Sequence, residues 1–225
     1  MPGYLVKNES IAVAGVADIH IRSLLDKQQF ADPLGEAEAL GISSATWPLF
    51  GLLWPSGLQL AQHMAQRHLR SGERVLEIGC GLALASLVAH RQGVDVTASD
   101  CHPLAGTFLR ANLDLNALPP MPYSQGDWAQ LAPSSIEGRF DLIMGSDVLY
   151  ERDDGGILPL FIEHHAHASA EVLIIDPDRG NRAAFNKRMA ALGFELQQTA
   201  LQPLIGTPGT AYKGRLLHYR RVANA

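Results

Sequence analysis

Only two cysteines occur in the 225 residues, Cys80 and Cys101, so this chain alone can build neither a disulfide framework nor a zinc ribbon. Basic residues are not in excess either. Lys and Arg number 18 against 23 Asp and Glu, a net charge of −5, which excludes a sequence-independent nucleic-acid binder that needs a basic face. No stretch approaches the ~20 uninterrupted apolar residues of a membrane-spanning helix. The start, Met1 to Asn8, lacks a positively charged segment leading into a long apolar run. The expectation is a soluble, cytoplasmic protein with no membrane or nucleic-acid partner. A glycine-rich loop ending in Lys-Ser or Lys-Thr is also missing, so the phosphate cradle of a P-loop nucleotidase is absent. Repeats and low-complexity tracts are lacking as well. The length suits one α/β domain with a sizeable core and is short for two.

What is present is the run Val75-Leu76-Glu77-Ile78-Gly79-Cys80-Gly81-Leu82-Ala83, followed at Asp100 by an acid that closes the next apolar stretch. Apolar residues before Glu77 suit a buried strand, and the two glycines let backbone N–H groups approach a ligand. Leu82 to Arg91 has helical apolar spacing that stops at Gly93. A carboxylate about 20 residues beyond the glycines is where the ribose hydroxyls of a βαβ-bound nucleotide lie. A dinucleotide fingerprint needs a third glycine three positions after Gly81, and the chain has Leu84 there, which disfavours a pyrophosphate. S-adenosyl-L-methionine fits better. It has no phosphate, and its sulfonium and ammonium suit an acidic Glu77 that would repel a diphosphate. The plainer reading, a glycine turn that only joins strand to helix, is weakened by Asp100 at the right distance.

Along the rest of the chain, residues 1–44 do not fit the βα repeat and read as an N-terminal arm or lid, with a strand candidate at Ile11 to Ala14 and partial helix from Ile19 to Gln29. Prolines in the aromatic segment Trp47 to Gly57 forbid a continuous helix. An amphipathic helix follows from Gly57 to Leu69. Pro103 is placed at the start of a helix running to Leu115. Gly126-Asp127-Trp128 lies past a weak third strand, and Ser146-Asp147-Val148-Leu149-Tyr150 leaves the fourth, Phe140 to Gly145. Ile157 to His167 reads as helix, Val172 to Ile175 as strand, and Arg182 to Leu192 as helix. Phe194 to Leu201 and Gly214 to Arg221 are two successive strands, an antiparallel pair at the sheet edge. His164, His165 and His167 diverge around a helix instead of repeating at i and i+4, so no metal site is expected.

From Trp47 onward the chain resembles the class I, seven-β-strand S-adenosylmethionine methyltransferases. Asp147-Val148-Leu149-Tyr150 resembles the Asp-x-x-Tyr motif of the protein-lysine methyltransferases that lack a SET domain. Pro48 to Gly57 and Asp176-Pro177-Asp178-Arg179 are similar to the branch acting on the electron-transfer flavoprotein β-subunit. Its members carry Trp-Pro-Gly-Gly and Asp-Pro-Gly-Arg where this chain has Trp54-Pro55-Ser56-Gly57 and Asp-Pro-Asp-Arg. The resemblance implies a Rossmann-like, doubly wound, mostly parallel seven-stranded sheet over residues 45–225, with the antiparallel pair at its C-terminal edge. It implies that Glu77, Gly79 and Gly81 surround the methionine moiety, Asp100 holds the ribose, Asp127 and Trp128 border the adenine, and Trp54 packs on the cofactor. Cys101 and Ser146 flank that site.

Asp147 and Tyr150 are the acceptor-site candidates, with Asp178 and Arg179 at its mouth. The implied reaction is in-line methyl transfer to a neutral lysine amine of a protein substrate, by a monomer or weak dimer. Asp147 would attract and orient the lysine, and Tyr150 would offer a hydroxyl and a π face. Three rival readings remain at this point: a small-molecule amine or nicotinamide-like N-methyltransferase, a non-catalytic cofactor-binding module, and a dehydrogenase.

Overall fold

The computed structural model describes residues 3–68, 70–129, 135–202 and 212–223. It opens with an antiparallel hairpin, β1 (Val6–Ile11) and β2 (Ile19–Leu24), followed by a short helix α1 (Glu36–Ala39) and a 3₁₀ turn at Trp47–Gly51. Helix α2 (Pro55–Gln66) leads into alternating strands and helices: β3 (Arg74–Ile78), α3 (Leu84–Arg91), β4 (Asp95–Asp100), α4 (Ala105–Leu115) and β5 (Tyr123–Gln125). The second half adds β6 (Phe140–Ser146), α5 (Ile157–His165), β7 (Ala166–Asp176), α6 (Arg182–Ala191), β8 (Glu195–Ala200) and β9 (Arg215–Arg221).

Strands β3 to β9 form one seven-stranded sheet in the order β5-β4-β3-β6-β7-β9-β8. It is parallel except where β9 pairs with β7 and β8, so the expected antiparallel edge pair is present. The central strands read as continuous apolar runs because both faces are covered. Val75, Leu142, Met144 and Leu173 point to one core with α2, α3 and α4, while Leu76, Ile78, Ile143 and Ile174 point to the other with α5 and α6. Each of these side chains is fully buried, a contribution of roughly 1.5–3 kcal/mol apiece. The chain winds outward from β3 to β5 and then returns past β3 to β6. That reversal opens a crevice at the carboxyl ends of β3, β4 and β6, the position where open α/β sheets bind ligands. No helix among the described residues is long and apolar enough to cross a membrane.

Several boundaries differ from the sequence reading. Ile19 to Leu24 is strand and not helix: Ile19, Ile21 and Ser23 are buried on one side of the hairpin, with Leu24 buried at its end, and the period of two prevails over local helical spacing. Its partner runs from Val6 to Ile11, upstream of the expected Ile11 to Ala14. Helix α2 begins at Pro55 and ends at Gln66; Leu69 lies outside the described residues. Helix α4 starts at Ala105, two residues after Pro103. Helix α5 stops at His165 because Ala166 already pairs with Phe140 as the start of β7.

Candidate active site

The glycine turn between β3 and α3 is held from both sides. Gly79 and Gly81 have φ of +57° and +52°, values that favour glycine, and a Cβ on Gly81 would stand 2.9 Å from the Phe50 carbonyl oxygen. Asp100, the last residue of β4, accepts the Gly81 N–H at 2.8 Å through one carboxylate oxygen and the His102 N–H at 2.8 Å through the other. Burial pushes this carboxyl above its usual range, against those hydrogen bonds. Cys101 also hydrogen-bonds this carboxylate, which has acceptor capacity for about four such bonds in all.

Glu77 lies beneath the turn, 2% exposed. One of its oxygens accepts the Ser86 N–H at 2.9 Å and the Ser86 hydroxyl, closing the first turn of α3 as a cap residue would. Burial pushes its carboxyl up from 4.5 to about 7, so it is poised to ionise when a cation arrives. Ser86 and the ring stack of Phe50 on His102, centroids 3.7 Å apart, were not picked out from the sequence. Their partners lie 9 and 52 positions away, and no local spacing signals either contact.

Phe50, Glu77, Gly79, Gly81, Asp100 and His102 line a single cavity of about 1040 Å³. The same cavity takes in Cys101, exposed after β4, together with Asp127, Trp128, Trp54 and Ser146. Asp127 accepts the Ala129 N–H at 2.9 Å through one oxygen, leaving the other free of that bond. Trp128 packs beside Gly79, where a Cβ would meet its ring at 3.6 Å. The Trp54 indole donates to the Leu49 carbonyl at 2.8 Å, which fixes the ring at the head of α2. The stretches lining the cavity after β3 and β4 carry no Lys or Arg, and His102 is pushed down to about 4 by burial, hence neutral. On this side the pocket is acidic and glycine-floored, its arginines (Arg152, Arg179 and Arg188) lying in the segments after β6 and β7 and in α6, and that half fits a positively charged nucleoside ligand such as S-adenosylmethionine and not a diphosphate. Leu84, where a dinucleotide site has glycine, is buried in the core at the first turn of α3.

On the other side of the cavity lie Asp147 and Tyr150, just past β6. Asp147 takes φ of +56°, tolerated by aspartate, and donates its N–H to the Ile175 carbonyl at 2.8 Å. Its carboxylate is already engaged: Arg179 bonds both oxygens at 2.6 Å, a two-pronged ion pair that the sequence reading did not foresee. Tyr150 is half exposed, and its phenol is pushed up to about 12, by burial first and then by Glu151, so it is a hydrogen-bond donor at neutral pH.

A family model described as lysine methyltransferase matches residues 43–189. The chain belongs to that family. It is therefore an enzyme, an S-adenosylmethionine-dependent methyltransferase, as the resemblance from Trp47 onward implied. Among curated proteins, it is 28% identical over 184 residues to the electron transfer flavoprotein beta subunit lysine methyltransferase of Rattus norvegicus, covering 80% of this chain and 69% of that one. To the protein N-lysine methyltransferase METTL21A of Danio rerio it is 29% identical over 140 residues, covering 58% and 63%. A methyltransferase from Pyrococcus furiosus shares the fold at a TM-score of 0.56 and 22% identity, over 70% of this chain and 79% of that chain. The matched family segment begins at the aromatic turn before α2 and ends in α6, so it encloses the whole cavity floor and both acceptor-site candidates.

Proposed function

We propose that this lysine methyltransferase family member methylates a lysine side chain of a protein, with the acceptor amine presented between Asp147 and Tyr150. The observation that carries the reading is the convergence of two differently built halves on one cavity. One half is the acidic glycine floor after β3 and β4; the other is the Asp-x-x-Tyr segment after β6. Bound S-adenosylmethionine supplies an electrophilic methyl group on sulfur. In this reading Asp100 would accept ribose hydroxyls, Asp127 and Trp128 would border adenine, and Glu77 would compensate the charge of the methionine end. The protein's task at the acceptor is alignment and exclusion of water, since displacement at a methyl carbon by a neutral amine needs little acid–base chemistry. Tyr150, protonated at neutral pH, offers a hydroxyl and a ring face to the amine and to the methylated ammonium.

The test is transfer of labelled methyl from the cofactor into a cell extract, followed by mass spectrometry of the labelled material. The electron transfer flavoprotein beta subunit named for the rat relative is the first purified acceptor to try. Methyl-lysine in protein is the expected product; label confined to small molecules would overturn the reading. Asp147→Ala should reduce transfer at least 100-fold while S-adenosylhomocysteine still binds within a few-fold, order-of-magnitude effects of losing one aligning group.

A further inference from the structure

Resting on that reading, the geometry points to Arg179 as a positioning residue that offsets the charge of the Asp147 carboxylate and leaves it an orienting acceptor, so that the bound lysine is held as its neutral amine. The two partners come from different strands' ends, Asp147 after β6 and Arg179 after β7, and meet in the cavity with both donor–acceptor distances at 2.6 Å. Asp147 is the more buried of the two, its side chain 13% exposed against 44% for Arg179. The turn that delivers Arg179 is specific. Asp178 adopts φ of +64° and bonds Arg182, and Asp176 also bonds Arg182 at 3.1 Å, so both neighbouring carboxylates are engaged away from Arg179. The remaining ionisable groups around the pair are Tyr212, whose hydroxyl is bonded to Ser56 at 3.0 Å, Tyr150 and Glu151, with Arg215 3.8 Å from Asp178.

The chemical need is plain. A lysine amine with an ordinary pKa near 10.4 is only ~0.1% neutral at pH 7.4, and an uncompensated carboxylate beside it would lower that fraction further by favouring the ammonium. Pairing with a guanidinium cancels the charge at the site yet leaves carboxylate lone pairs free to accept from the amine. Arg179 keeps its own proton under all relevant conditions, held there chiefly by its bonds to Asp147.

The experiment is the single-turnover rate of methyl transfer against pH. The acceptor is the principal protein that the wild-type enzyme labels in a cell extract, supplied at saturation. Arg179→Gln should slow transfer about tenfold at pH 7 and move the acid limb of the profile up by about one unit, so that the rate recovers towards wild type near pH 10. Arg179→Lys, which keeps the charge, should leave the limb in place. An equal loss at every pH would show a purely structural role. A faster rate at pH 7 would show that Arg179 merely competes with the acceptor for Asp147. Either result overturns the proposal. S-adenosylhomocysteine binding by each variant reports that it has folded. Should Arg179→Gln not fold, the Asp147→Asn, Arg179→Gln double variant, an uncharged pair, must show a limb at the wild-type position for the proposal to stand. If the wild type labels no protein at all, the lysine reading falls and this inference with it. If it labels protein and the limb does not move, only the role of Arg179 falls.

Discussion

Glu77 shows how one residue serves fold and ligand together. Its cap on Ser86 steadies α3, but enclosure raises its carboxyl from 4.5 to about 7. Folded protein therefore holds a proton that the unfolded chain releases between those values. Stability from this group falls as pH rises through that window, leaving a cost of about 3 kcal/mol above it. His102, depressed from 6.5 to about 4, acts in the opposite direction over nearly the same window, so a difference between variants isolates Glu77. Urea unfolding of ligand-free Glu77→Gln should show no gain over wild type at pH 4.5 and a gain approaching 3 kcal/mol at pH 8. Its affinity for S-adenosylmethionine should be lower and nearly flat with pH. Wild-type affinity should instead climb through pH 7 as the cation favours the ionised carboxylate. Glu77 was legible in the sequence as an acid beside the glycines, but its shared proton was not, because burial and the contact with Ser86 are properties of the assembled helix and strand.

The element that departs most from local pattern is the N-terminal hairpin. Among the described residues its second strand has no third strand beside it; asparagines in and at the end of α4 take that place. Asn116 accepts the His20 N–H at 2.9 Å and donates to the His20 carbonyl at 2.7 Å, while Asn112 accepts the Arg22 N–H at 2.7 Å. Arg91 adds bonds to the Ala17 and Asp18 carbonyls at 2.8 and 3.0 Å. The hairpin thus rests against α3 and α4, while Leu40 to Ile42, just downstream of it, reach the cavity wall. Asn116→Ala should destabilise the protein by about 1–3 kcal/mol and speed hydrogen exchange at His20, read by mass spectrometry, with the exchange of β3 amides little changed. Side chains that imitate a strand edge leave no periodic trace, which is why this contact could not be anticipated from the chain.

At the scale of the molecule, the ion-paired Glu73 and Glu171 and the cavity acids Glu77 and Asp100 sit at opposite ends of the sheet. At the amino ends of the strands, Glu73 is buried against Arg67 at 2.7 and 2.8 Å, and Glu171 meets His218 at 2.7 Å with Arg67 and Arg70 at 3.6 Å. At the carboxyl ends, Glu77 and Asp100 face a cavity and lack any such cationic partner among the described residues. A ligand carrying positive charge supplies it. Saturation with S-adenosylhomocysteine at about 100 times its dissociation constant should therefore stabilise the fold by ~2.7 kcal/mol, a rise in Tm of roughly 5–10 °C. NAD at the same concentration should leave Tm unchanged in the same scan.

The amino-acid sequence by itself determined the alternation of strands and helices from Arg74 to Arg221, the glycine turn with its distant acid, and the Asp-x-x-Tyr segment. Each is carried by apolar period, glycine placement or short spacing, and these act between near neighbours in the chain. Tertiary structure alone decided that Ile19 to Leu24 is extended, that Glu77 caps α3 and that Asp147 meets Arg179. Those outcomes depend on groups as far as 96 residues apart being brought within hydrogen-bond reach, where burial and pairing override what a local stretch prefers.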